Sequence, residues 1–264
     1  MPKVKVNDIQ ICYEVKGKGF PLVMITGLGG NLNGWDPRLV EGLSKEFELV
    51  MFDNRGAGRT DISDKEYTIK LFADDTAGLM NVLGISRAHI LGLSMGGMIA
   101  QELVLNHSEK VAKLVLCSTF CGGSKGVQCS KEVASILTAG TSASSKEEWS
   151  RMVLPIVLTQ DFAKEHPDFV DSLFQRASKY PISLAAYMRQ LNAIGNLDTY
   201  GRLQQIKVPT FILHGRQDVL IPPENGSILA EAIPNAKLVY FDKSAHMLAE
   251  EMKEVINVLT EFLL

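Results

Sequence analysis

Eight short runs rich in apolar and β-branched residues recur along this 264-residue chain, and their alternation with helical patterns is its strongest constraint on fold. The runs are Lys3–Val6, Ile9–Val15, Pro21–Thr26, Phe47–Phe52, Ala88–Leu93, Val111–Cys117, Thr210–His214 and Lys237–Phe241. Several are almost continuously apolar (Leu-Val-Met-Ile, Leu-Val-Leu-Cys, Phe-Ile-Leu), as strands are when helices cover both faces of their sheet. Polar residues interleave the first two, which predicts an antiparallel hairpin at one sheet edge. Helical spacing falls around Arg38–Lys45, Thr68–Leu83, Met95–His107, Glu224–Ile233 and Met247–Leu264. The pattern predicts an α/β fold: a doubly wound, mostly parallel sheet of eight strands.

One stretch breaks the rhythm. From about Phe120 to Leu203 no convincing strand occurs, and Gly/Ser-rich turns separate helical pieces. The expected division is a core formed by 1–118 with 202–264, interrupted by an inserted helical cap over 119–201.

Composition narrows the partners. With 46% hydrophobic and 22% charged residues the chain is ordinary globular material, and a net charge of −3 argues against nucleic acid or an anionic membrane. No apolar run approaches the ~20 residues a bilayer span needs. The first residues, Met-Pro-Lys-Val-Lys-Val, lack the apolar core of a secretion signal. Cys12, Cys117, Cys121 and Cys129 form no C-x-x-C pair, so neither a zinc site nor a disulfide scaffold is indicated, and reduced thiols in a cytoplasmic protein are expected.

Gly92-Leu93-Ser94-Met95-Gly96-Gly97 stands where a strand pattern gives way to a helix pattern. A serine flanked by glycines at a strand-to-helix turn is held in unusual backbone angles, with strand and helix so close that side chains at the flanking positions would clash. Its hydroxyl would stand above the sheet at a helix N-terminus, where the dipole favours developing negative charge. The bland alternative is that Ser94 caps the helix and Gly96-Gly97 permits close packing.

Context separates the two readings. In open α/β sheets the active groups gather beyond the carboxyl ends of the strands. Ser94, Asp218 (in His214-Gly-Arg-Gln-Asp218) and His246 (in Asp242-Lys-Ser-Ala-His246) each follow a predicted strand. A serine hydroxyl needs a base to take its proton, and the base needs a carboxylate to fix its tautomer. His89 lies within a strand, His107 ends a helix, His166 precedes Pro167 and His214 is too close to Asp218, which leaves His246 as base. Asp242 and Glu250 are alternatives to Asp218 as the acid, although Asp242, four residues from His246, reads better as a turn former. Acyl transfer also needs N–H donors for an oxyanion. Met95, after the nucleophile, and Leu28, in Thr26-Gly27-Leu28-Gly29-Gly30, are the expected pair. Asp53-Asn-Arg-Gly-Ala-Gly-Arg-Thr60 reads as a structural loop at the rim, tied down by arginine and carboxylate.

Taken together these residues resemble the α/β-hydrolase superfamily over essentially the whole chain. The resemblance is nearest to small capped carboxylesterases, 3-oxoadipate enol-lactonases and cofactor-free haloperoxidase-like (perhydrolase) enzymes. The Asp53…Gly58 loop is similar to that branch's D-x-R-G-x-G motif, Gly92–Gly97 to its G-x-S-M-G-G turn, and the order Ser94…Asp218…His246 to its triad. There are two departures: Thr26-Gly27 stands where His-Gly is usual, and Thr60 where Ser is usual. A serine at position 94 argues against the carboxylate-nucleophile branches.

The resemblance implies a carboxylic ester hydrolase with Ser94 as nucleophile, Asp218 as acid and His246 as base. Leu28 and Met95 would supply the oxyanion N–H groups, with no metal and no cofactor. Enol-lactone hydrolysis, C–C bond hydrolysis and perhydrolysis are alternatives on the same triad. An alternative of another class is a small-molecule receptor or signalling protein that turns over slowly or once. The expected partner is a small ester or lactone, with a homo-oligomer left open. Trp149, Met152, Phe162, Phe169, Phe174, Tyr187 and Met188 suggest an apolar pocket lining, though most are expected to hold the cap together instead. Arg151 and Arg189 could bind a substrate carboxylate, against a default expectation of solvent exposure.

Overall fold

In the computed structural model residues 1–139 and 146–264 are described, and side chains outside 140–151. Eight strands form one sheet: β1 (Lys3–Val6), β2 (Ile9–Lys16), β3 (Phe20–Ile25), β4 (Phe47–Phe52), β5 (Ala88–Leu93), β6 (Val111–Cys117), β7 (Thr210–Gly215) and β8 (Lys237–Phe241), in the spatial order β1-β2-β4-β3-β5-β6-β7-β8. β1 and β2 pair antiparallel with each other, and β2 pairs antiparallel with β4. Every pairing from β4 through to β8 is parallel. The edge hairpin expected from the interleaved polar residues is therefore present.

Side chains alternate across a strand, so each central strand feeds two cores. Along β3, Leu22 and Met24 enter one apolar cluster while Val23 and Ile25 enter the other. Helices α1 (Pro37–Leu43) and α10 (Met252–Leu263) cover the first face through Leu39, Leu43, Leu259 and Leu263. The second face carries α2 (Ile69–Val82), α3 (Met95–Asn106) and α9 (Glu224–Ala232), with Phe72, Met80, Ile99, Leu103 and Leu229 inward. Helix starts follow local chemistry: Asp36 caps α1 by accepting from Arg38 N–H with Pro37 at the first position, and Thr68 caps α2 by accepting from Leu71 N–H.

Between β6 and β7 lie α4 (Lys131–Ala139), α5 (Lys146–Val157), α6 (Gln160–Glu165), α7 (Pro167–Ser178) and α8 (Leu184–Gly195). Phe162, Phe169 and Phe174 pack around Leu158, Val170 and Leu173 in a small satellite core that also takes in Met247 and Ala249. Those aromatics hold the helical segment together. Met188 is exposed, and the Tyr187 hydroxyl donates to Leu137 O. Trp149 and Arg151 lie among the side chains outside the described residues. Arg189 reaches Ser63 O, Asp64 and the Tyr67 ring at the rim, which uses up the guanidinium that could have met a substrate carboxylate. Among the described residues no helix is long and apolar enough to cross a membrane.

One boundary differs from its sequence pattern. A helix is predicted from Met247, yet α10 begins at Met252. Leu248 adopts φ 55°, and Met247 N–H donates to Val157 O rather than to its own chain segment. A contact with the distant helical segment overrides local helical spacing there.

The rim loop contains a buried ion-pair network. Arg55 has no exposed side-chain surface. It donates to Asp75 through Nε and Nη2 (both 2.7 Å) and to Asp8 through Nη1 and Nη2 (3.1 and 2.9 Å). Hydrogen bonding from Arg55 holds the Asp8 carboxyl far below the usual carboxylate range. Removing one member of a buried ion pair strands the other charge. Arg55→Ala is therefore expected to lower unfolding free energy by about 3–5 kcal/mol, measured by denaturant titration, whereas an unchanged midpoint would show the network to be energetically neutral.

Candidate active site

β5 ends at Leu93 and α3 begins at Met95, so a single residue turns the chain. Ser94 takes φ 57° and ψ −121°, a strained conformation for a non-glycine residue. Its backbone is pinned from three sides: Ser94 N–H donates to Cys117 O (2.9 Å), and its carbonyl accepts from Gly97 N–H (2.9 Å) and Thr119 Oγ1 (2.7 Å). Close approach, rather than backbone angle, is what requires the flanking glycines. A Cβ on Gly96 would stand 2.0 Å from Ile25 O, and one on Gly92 2.2 Å from Gly96 O. The hydroxyl of Ser94 makes no cap hydrogen bond to α3, so the helix-capping alternative fails. With the backbone carrying the strain and the side chain holding nothing, the hydroxyl is available for chemistry.

The next two residues come from the neighbouring strands β7 and β8. A Cβ on Gly215 would lie 2.3 Å from Ser244 O and 2.4 Å from Ala245 O, so the loop after β8 presses on the end of β7. That contact sets Asp218 beside His246: His246 Nδ1 donates to Asp218 Oδ2 at 2.8 Å, with both residues buried. Asp218 Oδ1 accepts the N–H groups of Leu220 and Ile221, each at 2.9 Å. Burial alone would raise the carboxyl's pKa. The charge of His246 and hydrogen bonds from His214 and His246 outweigh it and hold the group at about 2.

His214, passed over as the base, is a second partner of the same carboxylate. Fully buried, it brings Nε2 to 2.8 Å from Ile221 O and 3.4 Å from Asp218 Oδ2. A carbonyl only accepts, so Nε2 carries the proton and points it at both oxygens. The four residues from His214 to Asp218 span the turn after β7, which folds the imidazole back onto the carboxylate. Neither alternative acid meets the imidazole: Glu250 accepts the N–H groups of Thr159 (2.8 Å) and Ala245 (3.4 Å), and exposed Asp242 pairs with Arg216.

Ser94 and His246 stand at the same end of the sheet, after the parallel strands β5 and β8. Among the described residues no hydrogen bond joins Ser94 Oγ to the imidazole. Such contacts are often long in free enzymes and tighten with substrate.

The loop after β3 lies against the serine: a Cβ on Gly27 would stand 3.1 Å from Ser94 Cβ and 3.5 Å from its Oγ. Among the described residues the N–H groups of Leu28 and Met95 have no partner. The loop is held without the histidine expected at position 26. Thr26 Oγ1 donates to Gly30 O (3.3 Å), while Asn54 Nδ2 donates to Thr26 O (3.1 Å). Asp53 supports it from beneath, accepting Leu32 N–H (2.7 Å) on Oδ1 and Arg59 Nε (3.0 Å) on Oδ2. Thr60 fills the usual serine position without loss, donating to Asp53 O and accepting from Cys12 N–H. The rim loop is a brace for the Gly27–Gly30 segment.

Comparison with known proteins agrees with this fold. The family described as alpha/beta hydrolase fold matches residues 21–252. A putative carbamate hydrolase of Azorhizobium caulinodans is 26% identical over 259 residues, covering 97% of this chain and 96% of that protein. A 2-hydroxy-6-oxononadienedioate/2-hydroxy-6-oxononatrienedioate hydrolase of Pseudomonas putida is 30% identical, covering 95% of this chain and 90% of its own. The crystal structure of an enol-lactonase from Burkholderia xenovorans superposes with a TM-score of 0.87 at 26% identity over 99% of both chains.

Proposed function

The chain belongs to the α/β-hydrolase family, and from that premise we propose that it is a serine hydrolase cleaving carboxylic esters of small, largely apolar substrates. The observation that carries the reading is the buried His246–Asp218 hydrogen bond, at the same end of the sheet as a serine held at φ 57° whose hydroxyl caps nothing. Ser94 Oγ attacks the ester carbonyl carbon as its proton passes to His246 Nε2. Nδ1–H stays on Asp218, whose charge stabilises the imidazolium. The carbonyl oxygen becomes an oxyanion between the N–H groups of Leu28 and Met95, each donor of this kind being worth about 2.7–4 kcal/mol. Collapse expels the alkoxide, which takes the proton from Nε2. Water, deprotonated by the same nitrogen, then releases the acid and restores Ser94.

An enol-lactone is itself an ester and fits the same steps, so it stands as the second reading, supported by the enol-lactonase likeness.

A series of p-nitrophenyl esters from acetate to octanoate, run beside an enol-lactone and a β-diketone, tests both. Ester turnover is expected, and it is lost when a serine-directed phosphonate adds one equivalent of mass to the peptide holding Ser94. Ester turnover that survives complete labelling would overturn the mechanism. A ligand that stabilises the protein with no turnover would instead favour a receptor.

A further inference from the structure

α8 reaches the core through one face. Ala186, Tyr187 and Gln190, spaced so that they share a side of the helix, meet two backbone loops of the sheet. A Cβ on Gly56 would stand 2.9 Å from Ala186 Cβ, and one on Gly29 3.3 Å from the Tyr187 ring. Gln190 goes further. Its side chain has no exposed surface, its Oε1 accepts Gly29 N–H at 2.9 Å, and its Nε2 donates to Arg55 O at 3.1 Å. The orientation of the amide is forced, since the reverse would set NH2 against N–H and carbonyl against carbonyl.

Both bonds end on backbone, one in the loop after β3 and the other in the rim loop that braces it. Gly29 sits at φ 67° and follows Leu28 directly. Three of the five residues of Thr26–Gly30 are glycines, so this segment has little side-chain packing to hold its peptide planes. An unsatisfied, half-buried N–H at Gly29 would drive those planes to rotate toward another acceptor.

We propose that Gln190 is a positioning residue for the oxyanion site: by clamping Gly29 to Arg55 it keeps the Leu28 N–H aimed at the developing charge. The inference rests on the serine-hydrolase reading and adds that the helical segment between β6 and β7 is part of the machinery as well as a cover for it. Displacing such a donor by a fraction of an ångström weakens the transition state far more than the bound ester.

Two variants test it. Gln190→Met removes both bonds at similar volume. It is expected to lower kcat about 10- to 100-fold with KM nearly unchanged, and to raise Ki for a trifluoromethyl ketone, whose hemiketal oxygen mimics the oxyanion, by the same factor. Gln190→Glu keeps the shape. As an ionised group it can accept from Gly29 but has nothing to donate to Arg55 O, whereas the protonated carboxyl restores both bonds. Its activity relative to wild type is therefore expected to rise as pH falls, a response that a purely structural role would not give. Wild-type-like kcat and Ki in Gln190→Met, or a pH-independent deficit in Gln190→Glu, would overturn the proposal. Failure of the broader reading shows differently: the wild-type enzyme itself would resist both the ketone and the phosphonate.

Discussion

Replacing Ser94 by alanine is expected to lower kcat by about six orders of magnitude while the protein stays folded. The size follows from losing the nucleophile outright, so that only binding and oxyanion stabilisation remain to accelerate hydrolysis. Retention of the fold follows from what the hydroxyl does now. Among the described residues it makes no hydrogen bond, and all the ties that hold the turn (to Cys117 O, from Gly97 N–H and from Thr119 Oγ1) involve the backbone of residue 94. Alanine keeps each of them. Initial rates on p-nitrophenyl acetate and a thermal melt check both halves: a variant that still turns over at a tenth of the wild-type rate would remove Ser94 from the chemistry, and a variant that unfolds would show the hydroxyl to be structural.

Asp218→Asn is expected to cost about four orders of magnitude in kcat through the tautomer of His246. Four donors converge on the carboxylate: two backbone N–H groups on Oδ1, and the imidazoles of His246 and His214 on Oδ2. An acceptor-only group satisfies all four, and an amide satisfies half of them. Given the choice, its oxygen stays with the Leu220 and Ile221 N–H pair and its NH2 faces the histidines. His246 Nδ1 must then accept, the proton moves to Nε2, and the nitrogen that should take the serine's proton already carries one.

The same substitution has a signature in acid. The Asp218 carboxyl is held at about 2, below its value of 3.8 when free, because the two histidines outweigh burial. A depressed folded-state pKa contributes stability above the unfolded value, and the contribution is lost as pH falls through the folded one. The gap in unfolding free energy between wild type and Asp218→Asn is therefore expected to shrink from about pH 4 down to pH 2. Denaturant titrations at pH 6, 4 and 3 measure it, and a constant gap would mean that the histidines do not stabilise the charge.

How much of this was legible in the chain depends on the range of the interaction involved. Uninterrupted apolar runs such as Leu114–Cys117 predict strands covered on both faces, because burial on two sides is a property of the residues themselves. Ser94 is legible for a similar reason: the clashes that demand glycine at 92 and 96 arise within a few residues and from the adjacent strand β3. Asp218 and His246 stand out because each follows a strand. Their hydrogen bond, however, depends on β7 and β8 being neighbours in the sheet.

What escapes the sequence has the opposite character. The start of α10 departs from its local helical spacing, the approach of His214 to Asp218 follows from no local rule, and Gln190 is one ordinary polar residue in an amphipathic helix until α8 is seated on the loops. What the sequence determined alone was the layered α/β fold and the candidates waiting at its strand ends, since periodicity and steric fit act over a few residues. The tertiary structure decided which imidazole nitrogen meets the carboxylate, how Thr26 and Asn54 hold a loop without its expected histidine, and which helix clamps Gly29. Those are contacts between groups 28 to 161 residues apart, where only the completed packing of the sheet and its helices sets the distance.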